Sequence, residues 1–88
     1  MAIVEMELFT DQGNNAVVRL PERKYPGVVI QGDMLNSLVT TTFDAIEALS
    51  RSDLGDAQDL LRELAAQLQT ARERYEAALR DHRIELPY

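Results

Sequence analysis

The chain has 88 residues and a formal net charge of −6, from 15 acidic and 9 basic side chains, with a single histidine and no cysteine or tryptophan. The missing cysteines exclude a disulfide-stapled mini-protein and a thiolate zinc module, and the length points to one domain. A hydrophobic share of 45% and a charged share of 27% fit a folded domain rather than a disordered chain, and the acidic balance argues against general binding to DNA or anionic membranes.

Residues 1–32 read as a β-meander. Val4, Met6 and Leu8 alternate with Glu5 and Glu7, the period of a half-buried strand. Asp11-Gln12-Gly13-Asn14-Asn15 is a run of turn formers. Ala16, Val18 and Leu20 then alternate with Val17 and Arg19, which predicts a hairpin with a five-residue loop. Pro21 ends the second strand. Arg23 to Gly27 is a second turn in which Pro26 fixes φ and Gly27 supplies a permissive position. The β-branched run Val28-Val29-Ile30 is the third strand, stopped by Gly32-Asp33.

From Asp33 the period becomes helical. A first helix is predicted over 33–51, with Asp33 as its N-cap. Leu35, Leu38, Val39, Thr42, Ile46 and Leu49 form its apolar stripe, which Phe43 and Ala45 widen. Ser52 or Asp53 caps a second, long helix over 53–82. Leu54, Leu61, Leu68, Tyr75 and His82 recur every seven residues, and Ala57, Leu64, Ala71 and Ala78 interleave with them as a coiled-coil-like seam. The tail, 83–88, carries Ile84, Leu86 and Pro87 and is expected to dock. At 1.5 Å per residue the second helix outruns the first by about 20 Å, and the overhang still carries apolar residues. A second copy of the chain would cover it, so a homodimer is expected through Leu61, Leu64, Leu68, Ala71, Tyr75 and Ala78.

Met1 to Thr10 lacks the basic region and apolar run of a secretory leader. No apolar run approaches the roughly 20 residues that span a bilayer. A soluble, cytoplasmic protein is expected.

No nucleophile elbow, phosphate loop, paired histidine or metal-spaced cluster is present. His82 closes a helix, where contact with the C-terminal carbonyls explains it better than catalysis. Asp33 follows Gly32 at a strand-to-helix junction, where the alternatives are a catalytic or metal role and capping, and capping accounts for it. Arg19, Arg23 and Lys24 are the one basic cluster, either a solvated turn or a partner contact. Asp44, Glu47, Asp53, Asp56, Asp59 and Glu63 are opposed only by Arg51 and Arg62, so residues 44–63 carry −4. Such a run is either a solvated face or a surface complementary to a basic partner.

Leu20-Pro21, then Tyr25-Pro26-Gly27-Val28-Val29-Ile30-Gln31-Gly32-Asp33, and then a helix ending Asp44-Ala45-Ile46-Glu47-Ala48-Leu49 resemble the HicB-type antitoxin pattern. The stretch Arg23 to Asp33 also resembles the R-K-[YF]-P-G-V-V-I-Q-G-D core of a family of small bacterial domains of uncharacterised function. The resemblance covers about residues 3–50. It implies a β-hairpin, a third strand and a packed helix, as in a truncated ribonuclease-H-like sheet without its active-site acids. Met34-Leu35-Asn36-Ser37 stands where HicB-type proteins usually carry an acidic pair.

The expected protein is therefore a single α+β domain, a three-stranded antiparallel sheet followed by an amphipathic helix and a long C-terminal helix. Its expected work is protein binding without catalysis or a cofactor: antitoxin- or immunity-type inhibition of a toxin- or nuclease-like enzyme through the acidic helical surface. The alternatives are a nucleic-acid-mimicking inhibitor of a defence nuclease, and an oligomerisation or adaptor module built on the long helix. No direct contact with nucleic acid or membrane is expected.

Overall fold

A computed structural model of the chain describes all 88 residues. Three short strands, β1 (Glu7–Leu8), β2 (Val17–Arg19) and β3 (Gly27–Val28), are followed by helices α1 (Gly32–Ser50) and α2 (Leu54–Asp81). The sheet is antiparallel in the order β1-β2-β3. Glu7 pairs with Arg19 and Leu8 with Val18, while Val17 pairs with Val28 and Val18 with Gly27. This is the expected α+β order. The chain divides into two compact units, Met1–Ile30 with Ala71–Tyr88, and Gln31–Thr70.

In the first unit the buried centre is Val17, Tyr75, Ala78 and Leu79. Phe9, Val28, Ile84 and Leu86 pack against it, so the tail docks as its composition implied. Apart from Ala16, which is buried, the strand parity is the reverse of the expected one. Val17 is fully buried, whereas Met6, Leu8 and Leu20 are exposed. The pleat puts Glu7, Phe9, Val17 and Arg19 on one face, and that face meets the end of α2. Its two charges neutralise each other: the Arg19 guanidinium donates to both Glu7 carboxylate oxygens at 2.8 Å and lies 5.5 Å from the centre of the Phe9 ring.

The turns also depart from expectation. In the first, the Gly13 amide donates to the Asp11 carboxylate and Asn15 adopts φ 59°. The Thr10 hydroxyl accepts from the Val17 amide at 3.0 Å. The second turn falls at Leu20–Arg23 rather than Arg23–Gly27. The Arg23 amide donates to the Leu20 carbonyl, Pro21 sets the second position, and Glu22 takes the third at φ 66°. Gly27 is therefore not a turn residue. It lies in β3 opposite Val18 without a positive φ, and both Val29 and Ile30 of the expected strand fall outside it.

In the second unit α1 starts one residue early. Gln31 is the N-cap without a side-chain hydrogen bond. Asp33 sits inside the first turn, its carboxylate accepting only from the Met34 amide, which corrects the expected cap. Asp53 does cap α2: its carboxylate accepts from the Asp56 amide at 3.1 Å and its carbonyl from the Ala57 amide.

Both helices end in a Schellman motif whose left-handed residue is not glycine. At the end of α1 the Asp53 amide reaches the Ala48 carbonyl and the Ser52 amide reaches Leu49, with Ser52 at φ 60°. After α2 the Ile84 amide reaches Leu79 and the Arg83 amide reaches Arg80, with Arg83 at φ 56°.

Candidate functional site

The buried face of α1 is not the stripe of large apolar residues. Thr41, Ala45 and Ala48 are buried, as is Ala57 on α2, while Met34 and Leu38 are half-buried. Two lines with heptad spacing run side by side on α1. Met34-Leu38-Thr41-Ala45-Ala48 faces inward, and Leu35-Val39-Thr42-Ile46-Leu49 lies one residue round the helix. Small side chains allow helix axes to approach closely, so the alanine line is the one taken inside. Leu35, Val39, Phe43, Ile46 and Leu49 stay largely exposed.

The same displacement occurs on α2. Leu54, Leu61 and Leu68 are exposed, while Ala57 is buried and Leu60, Leu64 and Gln67 are half-buried. Leu38, Val39, Thr42 and Phe43 of α1 and Leu64 and Leu68 of α2 line a shallow apolar groove of about 250 Å³. The expected self-association seam is therefore not one surface. Leu61 and Leu68 are open, Leu64 and Ala71 are half-buried, and Tyr75 and Ala78 are enclosed in the first unit.

The acidic corner is built on the α1–α2 turn. Arg51 lies 3.3 Å from Asp56, 3.8 Å from Asp53 and 4.0 Å from Glu47, so these three are partly neutralised, and Asp53 is also occupied as a cap. Asp44, Asp59 and Glu63 are exposed, and none of them lies in an ion pair.

The basic cluster divides in the same way. Arg19 is held by Glu7, with a long 3.4 Å contact to the Lys24 carbonyl, and Lys24 lies 5.2 Å over the Tyr25 ring. Arg23 remains at the rim of a concavity of about 440 Å³ on the outer side of the sheet, floored by Met6, Val18, Leu20 and Val29. His82 makes the helix-end contact: its Nδ1 lies 2.9 Å from the Ala78 carbonyl, and its ring meets Phe9 edge-on at 4.9 Å. No group of three or more His, Cys, Asp or Glu side chains is arranged to hold a metal ion. No helix is long and apolar enough to cross a membrane.

The apolar lines named from the sequence on α1, α2 and the strands are largely the outward ones. The signal for the inward lines was the second heptad line on α1 and Val17 between Ala16 and Val18.

These features describe a small α+β domain that displays apolar and acidic surfaces. The chain belongs to a family of unknown function (DUF6959), whose pattern matches residues 1–88 and so extends well beyond residues 3–50. No curated protein and no solved structure matches the chain.

Proposed function

We propose that the protein is a non-enzymatic binding module that works in the cytoplasm as an antitoxin- or immunity-type inhibitor. Its target is a basic, toxin- or nuclease-like enzyme. The observation that supports this most is the set Asp44, Asp59 and Glu63, exposed and without cationic partners on a helical pair. Glu47 and Asp56 extend it beyond Arg51. Solvated carboxylates on rigid helices speed encounter with a basic surface and reject acidic ones. Asp53 supports the surface through its cap rather than by contact, and Arg23 is the basic residue freest to meet a partner. The HicB-like order of turn, strand and helix favours the same reading by analogy alone.

The experiment is a tagged pull-down from the native host with mass spectrometry, run beside a variant carrying Asp44→Lys, Asp59→Lys and Glu63→Lys. A basic enzyme captured by the parent and lost with the variant supports the reading. A captured protein indifferent to the reversal and to high salt removes the electrostatic contact.

A second reading, an oligomerisation or adaptor module, is favoured by the exposed Leu54, Leu61 and Leu68. A captured nucleic-acid enzyme displaced by its own substrate would assign the acidic surface to nucleic-acid mimicry.

A further inference from the structure

Residues 35 to 68 leave one apolar face uncovered. Leu35, Val39, Phe43, Ile46 and Leu49 on α1, and Leu54, Leu61 and Leu68 on α2, each keep between 46% and 65% of their surface exposed. Aliphatic side chains fall near the lower end of the about 150–250 Å² that an aromatic one buries, so half exposure of eight residues leaves on the order of 600 Å². That reaches the top of the range of about 300–600 Å² that a monomer ordinarily shows, and it approaches the roughly 800 Å² that each partner contributes to a standard interface.

We propose that this face is covered by a second copy of the chain, two helical pairs meeting as a four-helix layer.

Three features favour a copy of this chain over another occupant. The first is spacing. Leu35, Val39, Thr42, Ile46 and Leu49 step by four and three residues, and Leu54, Leu61 and Leu68 by seven. This is the repeat that seats side chains of one helix between those of another. The second is self-complementarity. The face carries no charged side chain, so a two-fold axis brings apolar residues onto apolar residues with no like-charge contact. The third is where the charge lies. At about 100° per residue, Asp44 is about 180° round α1 from Leu35, and Asp59 about 160° round α2 from Leu61. These two carboxylates therefore point away from the proposed contact, and Glu47, four residues on from Phe43, lies at its edge.

The proposal rests on the expectation of self-association but moves it from the α2 overhang to the paired α1–α2 face. It is independent of the inhibitory reading.

The test is light scattering on the purified full chain without any partner, from about one to one hundred micromolar. The monomer is 9.9 kDa, and the expected mass is twice that. Phe43→Glu with Leu61→Glu should return the mass to that of one chain while the far-ultraviolet dichroism stays helical. The milder pair Phe43→Ser with Leu61→Ser should weaken the dimer at least tenfold if the charged pair does not fold. Leu20→Glu, on the outer side of the sheet, should leave the dimer intact. A single-chain mass for the parent across the range overturns the proposal. So does a dimer that survives both helical pairs of substitutions, or one that Leu20→Glu abolishes. Because the measurement contains no partner, none of these outcomes bears on the acidic contact.

Discussion

The Tyr75 hydroxyl donates a buried hydrogen bond to the Pro26 carbonyl at 2.9 Å, across 49 positions of sequence. Pro26 immediately precedes the third strand and Tyr75 belongs to the long helix, so this bond fastens the end of the sheet to α2. Burial pushes the Tyr75 hydroxyl above its ordinary range, with smaller contributions from Tyr88 and Tyr25. Tyr75→Phe keeps the ring and leaves a buried carbonyl without a donor, at a cost of about 1–3 kcal/mol. The melting temperature should fall by roughly 4–8 °C per kcal/mol in a domain of this size.

The same residue gives the alkaline limb of stability. Its folded-state pKa is raised, so the contribution is complete below the ordinary tyrosine value of about 10 and declines as pH rises above it. The unfolded chain ionises first. Chemical denaturation at stepped pH should show a downward slope above pH of about 10. Tyr75→Phe should make that slope shallower, and an unchanged slope contradicts the assignment.

Glu7 governs an acid-side titration. The hydrogen bond from Arg19 is the largest influence on its carboxyl and holds its pKa below the ordinary value, against a smaller opposing desolvation. A lowered folded pKa means that the contribution is present above the unfolded value and is lost as pH falls through the folded one. The pair is exposed, so the effect on stability is small, and the sharper readout is the carboxyl resonance itself. Carbon-13 titration should place the Glu7 midpoint below the ordinary glutamate value, and Arg19→Gln should raise it toward that value.

Ser52 and Arg83 occupy left-handed positions that glycine adopts without strain. Ser52→Gly and Arg83→Gly should each stabilise the chain by about 0.5–1 kcal/mol, since a side chain there costs about 1–2 kcal/mol and glycine returns part of that through unfolded-chain entropy. Gly27 lies in a strand, so Gly27→Ala should show no penalty of the kind a left-handed glycine would. Urea midpoints compare all three variants.

The acidic residues should separate into two kinds. Asp53→Ala removes the α2 cap and should cost about 0.5–2 kcal/mol. Asp59→Ala lies on an open helix face and should stay within about 0.5 kcal/mol. Partner capture should respond in the opposite order once both chains are folded, falling further with Asp59 than with Asp53. Equal stability losses would contradict the cap geometry.

Much of the architecture was legible in the sequence. The change of period at Gly32, the three short strands, both helices and the docking tail follow from spacing and turn chemistry. The inside and outside of each element did not. Val17 and Val18 are equally apolar, and only the arrival of Tyr75 and Leu79 from far along the chain decides which is buried. On α1, two heptad lines one residue apart are both apolar, and close approach through Ala45 and Ala48 selects the smaller. The left-handed positions carry Glu22, Ser52 and Arg83 instead of glycine, so no residue type announced them. Of the acidic candidates, the sequence could count the charges but not show that Arg51 spans Glu47, Asp53 and Asp56, leaving Asp44, Asp59 and Glu63 as the open set.

The central claim, an inhibitory contact made by that open set, is tested most directly by the affinity of the purified captured partner between about 0.05 and 0.5 M salt, where screening sharpens from roughly 14 to 4 Å. The account predicts that binding to the parent weakens steeply across this range, and that Asp44→Lys with Asp59→Lys and Glu63→Lys abolishes both the binding and its salt dependence in a chain that remains folded. Affinity that is flat in salt and unchanged by the three reversals would contradict it.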